Sequence, residues 1–336
     1  MFTKLKTAVL AGIIMTSLSA QAVQTMTTPG PVLVGARNAA VHLPAAEPIA
    51  AGRVVERVLP DGSKAHYFLY VPKSAGAHPP LFVTVHGISR NAKEHATLFA
   101  PFAEKYGVVI LAPYFPEPAY HDYQRLVHRE GAQRADEVLN AMIDETGKLT
   151  GAQTDRFYLF GYSGGGQFTH RYAMLHPDRI RAYAVGAAGW YTFPDPKRSY
   201  PRGIKPGPTV PAGLHLDSRR FLAIPATVFV GERDVHPGTA LRKTDKVNRQ
   251  QGTSRFERGE RWVEAMREAA KGQGVTGSFE FVTIPNCSHS FRRCMVKGDM
   301  GTAVFEHLFG AEAVAVSAPP PVAPQTKKNK NNDDPS

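Results

Sequence analysis

One stretch constrains this chain more than any other. Phe157-Tyr158-Leu159-Phe160 is an unbroken apolar run, and Gly161-Tyr162-Ser163-Gly164-Gly165-Gly166 follows at once. The run reads as a buried strand. Residues 167–175 read as a helix, with Phe168, Tyr172 and Leu175 at helical spacing on one face. A serine between strand and helix, with glycine two positions to either side, sits on a turn too tight for side chains at Gly161 or Gly165. Such a turn puts the serine in a strained backbone conformation and lifts its hydroxyl above the sheet edge. The plainer reading is a Gly-rich turn whose serine caps the helix. The strand before and the helix after favour a nucleophile.

The rest of the chain supplies a sheet for that turn. Residues 53–59 alternate as a strand, Pro60-Asp61-Gly62 signals a turn, and residues 65–71 return, so an antiparallel hairpin opens the domain. Strands then alternate with helices, which predicts a mostly parallel α/β sheet flanked by helices. The expected strands are 81–86, 108–111, 157–160, 182–186, 226–231 and 279–284. The expected helices are 92–105 with Leu98, Phe102 and Tyr106 on a shared face, 131–145 with Val138 and Met142, 256–271 with Trp262, Val263 and Met266, and 300–309. Residues 188–224, rich in Pro, Gly and aromatics, form an insertion between two strands. Insertions of that length are usually functional or disordered.

A serine hydroxyl needs a base, and the base needs an orienting acid. In a sheet of this kind both follow the serine, the acid first and then the histidine, each on a loop after a later strand. Asp234, just after strand 226–231, is the acid candidate, with Glu232 and Asp245 as rivals. His289, after strand 279–284, is the base candidate. His236 follows the wrong strand. His170 and His176 lie on or beside the elbow helix and read as surface or packing groups. All three candidates stand at carboxyl ends of parallel strands, where open α/β sheets keep their sites. His86-Gly87 at the end of strand 81–86 reads as the shaper of an oxyanion loop, with the N–H group of Gly164 as one donor and that of Ile88, or the next amide of the loop Ile88-Ser89-Arg90-Asn91, as the other.

Composition narrows the alternatives. The formal charge is +11 over 336 residues, yet neither a nucleic-acid module nor a sustained basic helix is legible, so no nucleic-acid partner is expected. His-Glu-x-x-His, Cys-x-x-Cys, a phosphate loop and a dinucleotide fingerprint are all missing, so neither metal nor cofactor is expected. Residues 1–22 read as a secretory signal: Lys4 and Lys6, a short apolar run, then Ala20-Gln21-Ala22 as the cleavage site. That run is shorter than the roughly 20 residues a membrane span needs, and the expected destination is the periplasm or the exterior. Residues 23–50 read as a leader, 51–312 as the folded domain and 313–336 as a disordered tail. Cys287 and Cys294, the only two cysteines, flank His289, and export to an oxidising compartment predicts a bridge between them.

His86-Gly87, Gly161-Tyr162-Ser163-Gly164-Gly165, Gly231-Glu232-Arg233-Asp234 and Ser288-His289-Ser290-Phe291 together resemble the α/β-hydrolase superfamily. The nearest branch is that of secreted esterases and poly(3-hydroxybutyrate)-depolymerase-like enzymes, and the resemblance covers roughly residues 51–312. It implies the α/β-hydrolase fold and a serine hydrolase cleaving small or polymeric carboxylic esters through Ser163, His289 and Asp234. Two departures stand out: the stretch after His86-Gly87 lacks the longer glycine run of many lipases, and 188–224 is too short and Pro-rich for a large helical lid. A peptidase or acyltransferase on the same scaffold is the alternative, and a non-catalytic binding protein that kept the fold is another. Trp190, Tyr191 and Phe193 open the insertion, where they line an acyl or aromatic pocket or fill the insertion's own core. Tyr162 and Tyr114 are further wall candidates. Substrate identity and oligomeric state are not legible.

Overall fold

The computed structural model describes residues 49–127, 133–211, 213–238 and 240–317, with the backbone alone for 311–317. The expected export signal at 1–22, nearly all of the leader and most of the tail lie outside the described residues.

Eight strands form one sheet in the order β1-β2-β4-β3-β5-β6-β7-β8. The opening hairpin is β1 (Val54–Val58) and β2 (His66–Tyr70), antiparallel as expected. β2 also runs antiparallel to β4 (Val109–Pro113). All other pairings are parallel, among β3 (Pro80–Val85), β4, β5 (Gln153–Tyr162), β6 (Ile180–Gly186), β7 (Ala226–Gly231) and β8 (Phe279–Ile284). The central strands are apolar at nearly every position because helices cover both faces.

Those faces are two separate cores. α2 (Ala135–Thr150), α3 (Gly164–Leu175), α4 (Ser218–Leu222) and α6 (Arg255–Gly272) bury Met142, Phe168, Phe221 and Trp262 on one side. α1 (Ala92–Tyr106), α7 (Phe291–Lys297) and α8 (Met300–Ser317) pack on the other. Period-2 alternation sends Phe157 and Leu159 of β5 to the first core and Tyr158 and Phe160 to the second. α5 (Asp245–Gln251) precedes α6.

Several elements differ from expectation. In α1 the buried stripe is Ala92, His95, Ala96, Phe99 and Ala103; Leu98, Phe102 and Tyr106 flank it. Alanines let the helix approach the sheet, and Phe99 meets the Phe82 ring edge-on at 5.0 Å. α2 begins later than expected, where Glu137 closes a capping box at Arg134, and ends at Gly151 in the left-handed region. α3 has no solvent face: all its residues are buried. α8 runs past 309 to Ser317 and through the expected tail boundary, consistent with the high helix propensity of its Ala-rich continuation.

Candidate active site

The elbow is as crowded as its glycines imply. Ser163 has φ 56° and ψ −109°, and its N–H donates to Gly186 O at 2.7 Å. A Cβ on Gly161 would lie 2.3 Å from Gly165 O, and one on Gly165 would lie 2.0 Å from Val85 O. Both obstacles are backbone and cannot swing aside. β5 and α3 therefore hold Ser163 in a left-handed conformation that non-glycine residues rarely adopt.

Three loop ends converge on it. His289 Nε2 lies 3.0 Å from Ser163 Oγ, and His289 Nδ1 lies 2.8 Å from Asp234 Oδ2. A carboxylate accepts, so Nδ1 carries the proton and Nε2 faces the hydroxyl as the acceptor. Asp234 is 4% exposed, and its Oδ1 accepts from Arg255 Nη1 at 3.3 Å. Arg255, also buried, has no counterpart in the sequence reading; it opens a helix and carries no motif. The loops after β7 and β8 are tied to each other. Arg233 N donates to Cys287 O at 3.0 Å, and Asn286 N donates to the Glu232 carboxylate at 2.8 Å. Glu232 is thus committed to the loop junction, and Asp245 heads α5 instead of reaching His289.

Cys287 and Cys294 form a disulfide with Cα atoms 5.2 Å apart, enclosing His289 in the closed segment. Tyr162 stacks beside the His289 ring at 5.4 Å, with its hydroxyl 3.7 Å from Cys294 Sγ. Closing so short a loop is worth about 2–2.5 kcal/mol on chain-entropy grounds. Cys294→Ser is expected to lower both Tm and kcat, because the histidine loop must then be ordered at each encounter with Ser163. Thermal melts and steady-state rates check this; an unchanged kcat beside a lowered Tm would make the bridge a stabiliser only.

Beside Ser163, Ile88 and Gly164 meet. A Cβ built on Gly164 would stand 3.3 Å from Ile88 N and 2.7 Å from the Tyr123 hydroxyl. Their loop is shaped by His86. Its Nδ1–H donates to Gly87 O at 2.7 Å, and its Nε2 accepts from Phe115 N at 3.0 Å. Tyr123 donates to His86 O at 2.7 Å. Burial pushes the His86 pKa down to about 4, so the ring is neutral and serves as a spacer. Tyr123 was not legible as a support, because it comes from a short 3₁₀ turn at Tyr123–Arg125 with no periodicity of its own.

In front of Ser163 lies a cavity of about 360 Å³, lined in part by Gly87, Ile88, Tyr162, Ala240, His289 and Phe291. Trp190 is not among its lining residues. Trp190 is 6% exposed and lines a neighbouring cavity, while Tyr191 and Phe193 belong to the α2–α3–α6 core. Tyr114 lies partly buried against the other core. Polar groups of α3 and α6 clamp the start of the insertion: His170 Nε2 accepts from Thr192 N at 2.9 Å, and Trp262 Nε1 donates to Thr192 O at 2.8 Å. His170 is thus a buried packing group. Among the described residues, no three His, Cys, Asp or Glu side chains cluster as a metal site, and no helix is long and apolar enough to cross a membrane.

A mostly parallel eight-stranded sheet with an antiparallel opening hairpin, helices on both faces and a serine elbow after its central strand is the α/β-hydrolase fold. Known proteins of similar structure carry it too. Poly(aspartic acid) hydrolase-1 from Sphingomonas sp. KT-1 superposes with a TM-score of 0.65 at 25% identity, over 76% of this chain and 99% of that one. LpqC, a poly(3-hydroxybutyrate) depolymerase from Bordetella parapertussis, gives 0.64 at 22% identity, over 80% of this chain and 94% of that one. In sequence, the chain is 27% identical to feruloyl esterase B of Neurospora crassa over 157 residues, 42% of this chain and 53% of that protein. Across the curated relatives it matches, the chain spans 33% to 53% of their length. No family model matches the chain.

Proposed function

We propose that this protein is an exported serine hydrolase that cleaves carboxylic esters through Ser163, His289 and Asp234. The observation that carries the reading is the continuous relay from Ser163 Oγ to His289 Nε2 at 3.0 Å and from His289 Nδ1 to Asp234 Oδ2 at 2.8 Å. His289 takes the serine proton as Oγ attacks the ester carbonyl, and Asp234 stabilises the imidazolium. The oxyanion that develops faces the N–H groups of Gly164 and Ile88. His289 then protonates the departing alcohol, leaving an acyl-Ser163. Water, deprotonated by the same histidine, releases the acid and restores the serine. Relatives and structural neighbours named as a feruloyl esterase and a poly(3-hydroxybutyrate) depolymerase support an ester substrate. A neighbour named as a poly(aspartic acid) hydrolase keeps the amide alternative in view. The export signal read at residues 1–22 supports a substrate outside the cytoplasm.

A fluorophosphonate probe is expected to label Ser163 in the mature protein and not in Ser163→Ala. A panel of ester and peptide substrates beside that variant separates esterase from peptidase; cleavage of peptides alone would overturn the ester reading. Trp190 begins the insertion at the carboxyl end of β6. Trp190→Ala is expected to change relative kcat/KM across acyl and alcohol groups more than it changes Tm. A lowered Tm with unchanged preference would make Trp190 a packing residue.

A further inference from the structure

Beside the cavity of Ser163 lies a second one, of about 450 Å³, within the usual range for small-molecule sites. Its walls carry Arg125, Arg202, Arg242 and Lys246, and Trp190, Val127 and Val247 supply apolar surface. Arg125 pairs with Asp122 at 3.4 Å. Arg202, Arg242 and Lys246 have no carboxylate partner among the described residues. Two guanidiniums lie over the Trp190 ring, that of Arg242 at 5.5 Å and that of Arg171 at 4.2 Å.

Arg171 backs the Trp190 ring from within the core and does not line the cavity itself. It is fully buried, and no carboxylate among the described residues meets it. Its Nε donates to Thr192 Oγ1 and its Nη1 to Gln124 O, while its Nη2 has no hydrogen-bond partner. Burial lowers its pKa to about 10; Tyr200 opposes that shift, and the charges of Arg125 and Arg242 add to it more weakly. Arg125 and Arg242 carry the same charge to the cavity wall, with Arg202 and Lys246 beside them, so an anion is the matching ligand. The cavity beside Trp190 is where one fits: guanidinium forks match a carboxylate, and the indole and valines suit a hydrocarbon or aromatic body behind it. Ala240 lines the cavity of Ser163 and Arg242, two residues on, lines this one, so the two cavities approach within roughly 7 Å at that edge.

We infer that this cavity holds the carboxylate of an acidic chain whose ester bond lies at Ser163, so that the substrate class is a carboxylate-bearing ester. The inference rests on the reading of Ser163 as nucleophile. Three nitrophenyl monoesters of one dicarboxylic acid skeleton, long enough to span that distance, test it: one with the far carboxylate free, one with it methyl-capped, and one with a phosphonate in its place. The free acid is expected to exceed the capped ester in kcat/KM by on the order of 10- to 100-fold. That ratio should shrink in about 0.5 M salt. It should also fall towards one in Arg242→Gln/Lys246→Gln, whose two sites are exposed and whose fold is checked by its Tm. Equal rates for acid and capped ester in an enzyme that cleaves both, or an undiminished preference in the folded double variant, would overturn this inference and leave the ester reading standing. Preference for the phosphonate over the carboxylate would overturn the carboxylate assignment. If neither ester is cleaved and the fluorophosphonate leaves Ser163 unlabelled, the nucleophile reading fails and this inference fails with it.

Discussion

Ser163→Ala and His289→Ala are each expected to lower kcat for ester cleavage by on the order of 10⁴-fold or more. The size follows from what each removal leaves. Without Oγ no acyl-enzyme forms, and water must attack unaided. Without the imidazole, Oγ keeps its proton and the alcohol departs unprotonated. Either way the proposed donors, the N–H groups of Gly164 and Ile88, would still face the oxyanion, so a residual rate above water is expected. In the proposed mechanism the two groups act on one proton, which their 3.0 Å separation, His289 Nε2 to Ser163 Oγ, supports. The double variant is therefore expected to be little worse than either single one. Single-turnover rates with a chromogenic ester check this, and losses that multiply would show that the two do not act as a unit. Asp234→Asn should follow with a smaller loss, because an amide NH₂ facing Nδ1 favours the wrong tautomer.

The second large effect is acid lability. His86, His95 and His170 are fully buried, and burial holds His86 at about 4 and the other two well below their ordinary 6.5. Two of them spend Nε2 as an acceptor, from Phe115 N and Thr192 N, so a proton there would break a structural bond. The third stacks on Phe291 at 3.7 Å with its Nδ1 2.9 Å from Thr84 Oγ1. An unfolded chain protonates all three near pH 6.5, while the folded one resists until lower pH. Between those limits the unfolded state binds more protons, so stability falls as pH falls. Each histidine contributes a slope of at most roughly 1.4 kcal/mol per pH unit, about 4 for the three together. That stability is fully present above about pH 6.5 and is lost on the way down to about 4. Urea melts between pH 7 and 4.5 should show this decline, and His95→Gln, if folded, should flatten it by about a third. Constant stability across that range would mean that the rings titrate in place.

Much of the scaffold was legible because two periodicities and one crowded turn carry it. β7 and β8 fall where their apolar runs end, at Gly231 and Ile284. α4, α5 and α7 were not, since helices of five to seven residues are too short for a 3.6-residue period to register. The buried face of α1 differs from the expected one because periodicity marks the largest apolar side chains. The sheet selected the stripe with Ala92, Ala96 and Ala103, where small residues allow close approach.

By itself the sequence determined the elbow, since only glycines at 161 and 165 clear the backbone around them. It also determined the chain order of serine, acid and histidine, and the strand ends on which they stand, because apolar runs and the glycines that end them are local properties. What Asp234 meets beyond His289, and where Trp190 faces, were decided only by tertiary structure. Asp234 and Arg255 stand 21 residues apart, and His289 stands 126 from Ser163. Trp190 falls beside Arg171 and Arg242 instead of Ser163 because Thr192 is bonded to His170 and Trp262. Pairings of that kind depend on how two helices and an insertion close over a sheet, and no local pattern encodes that closure.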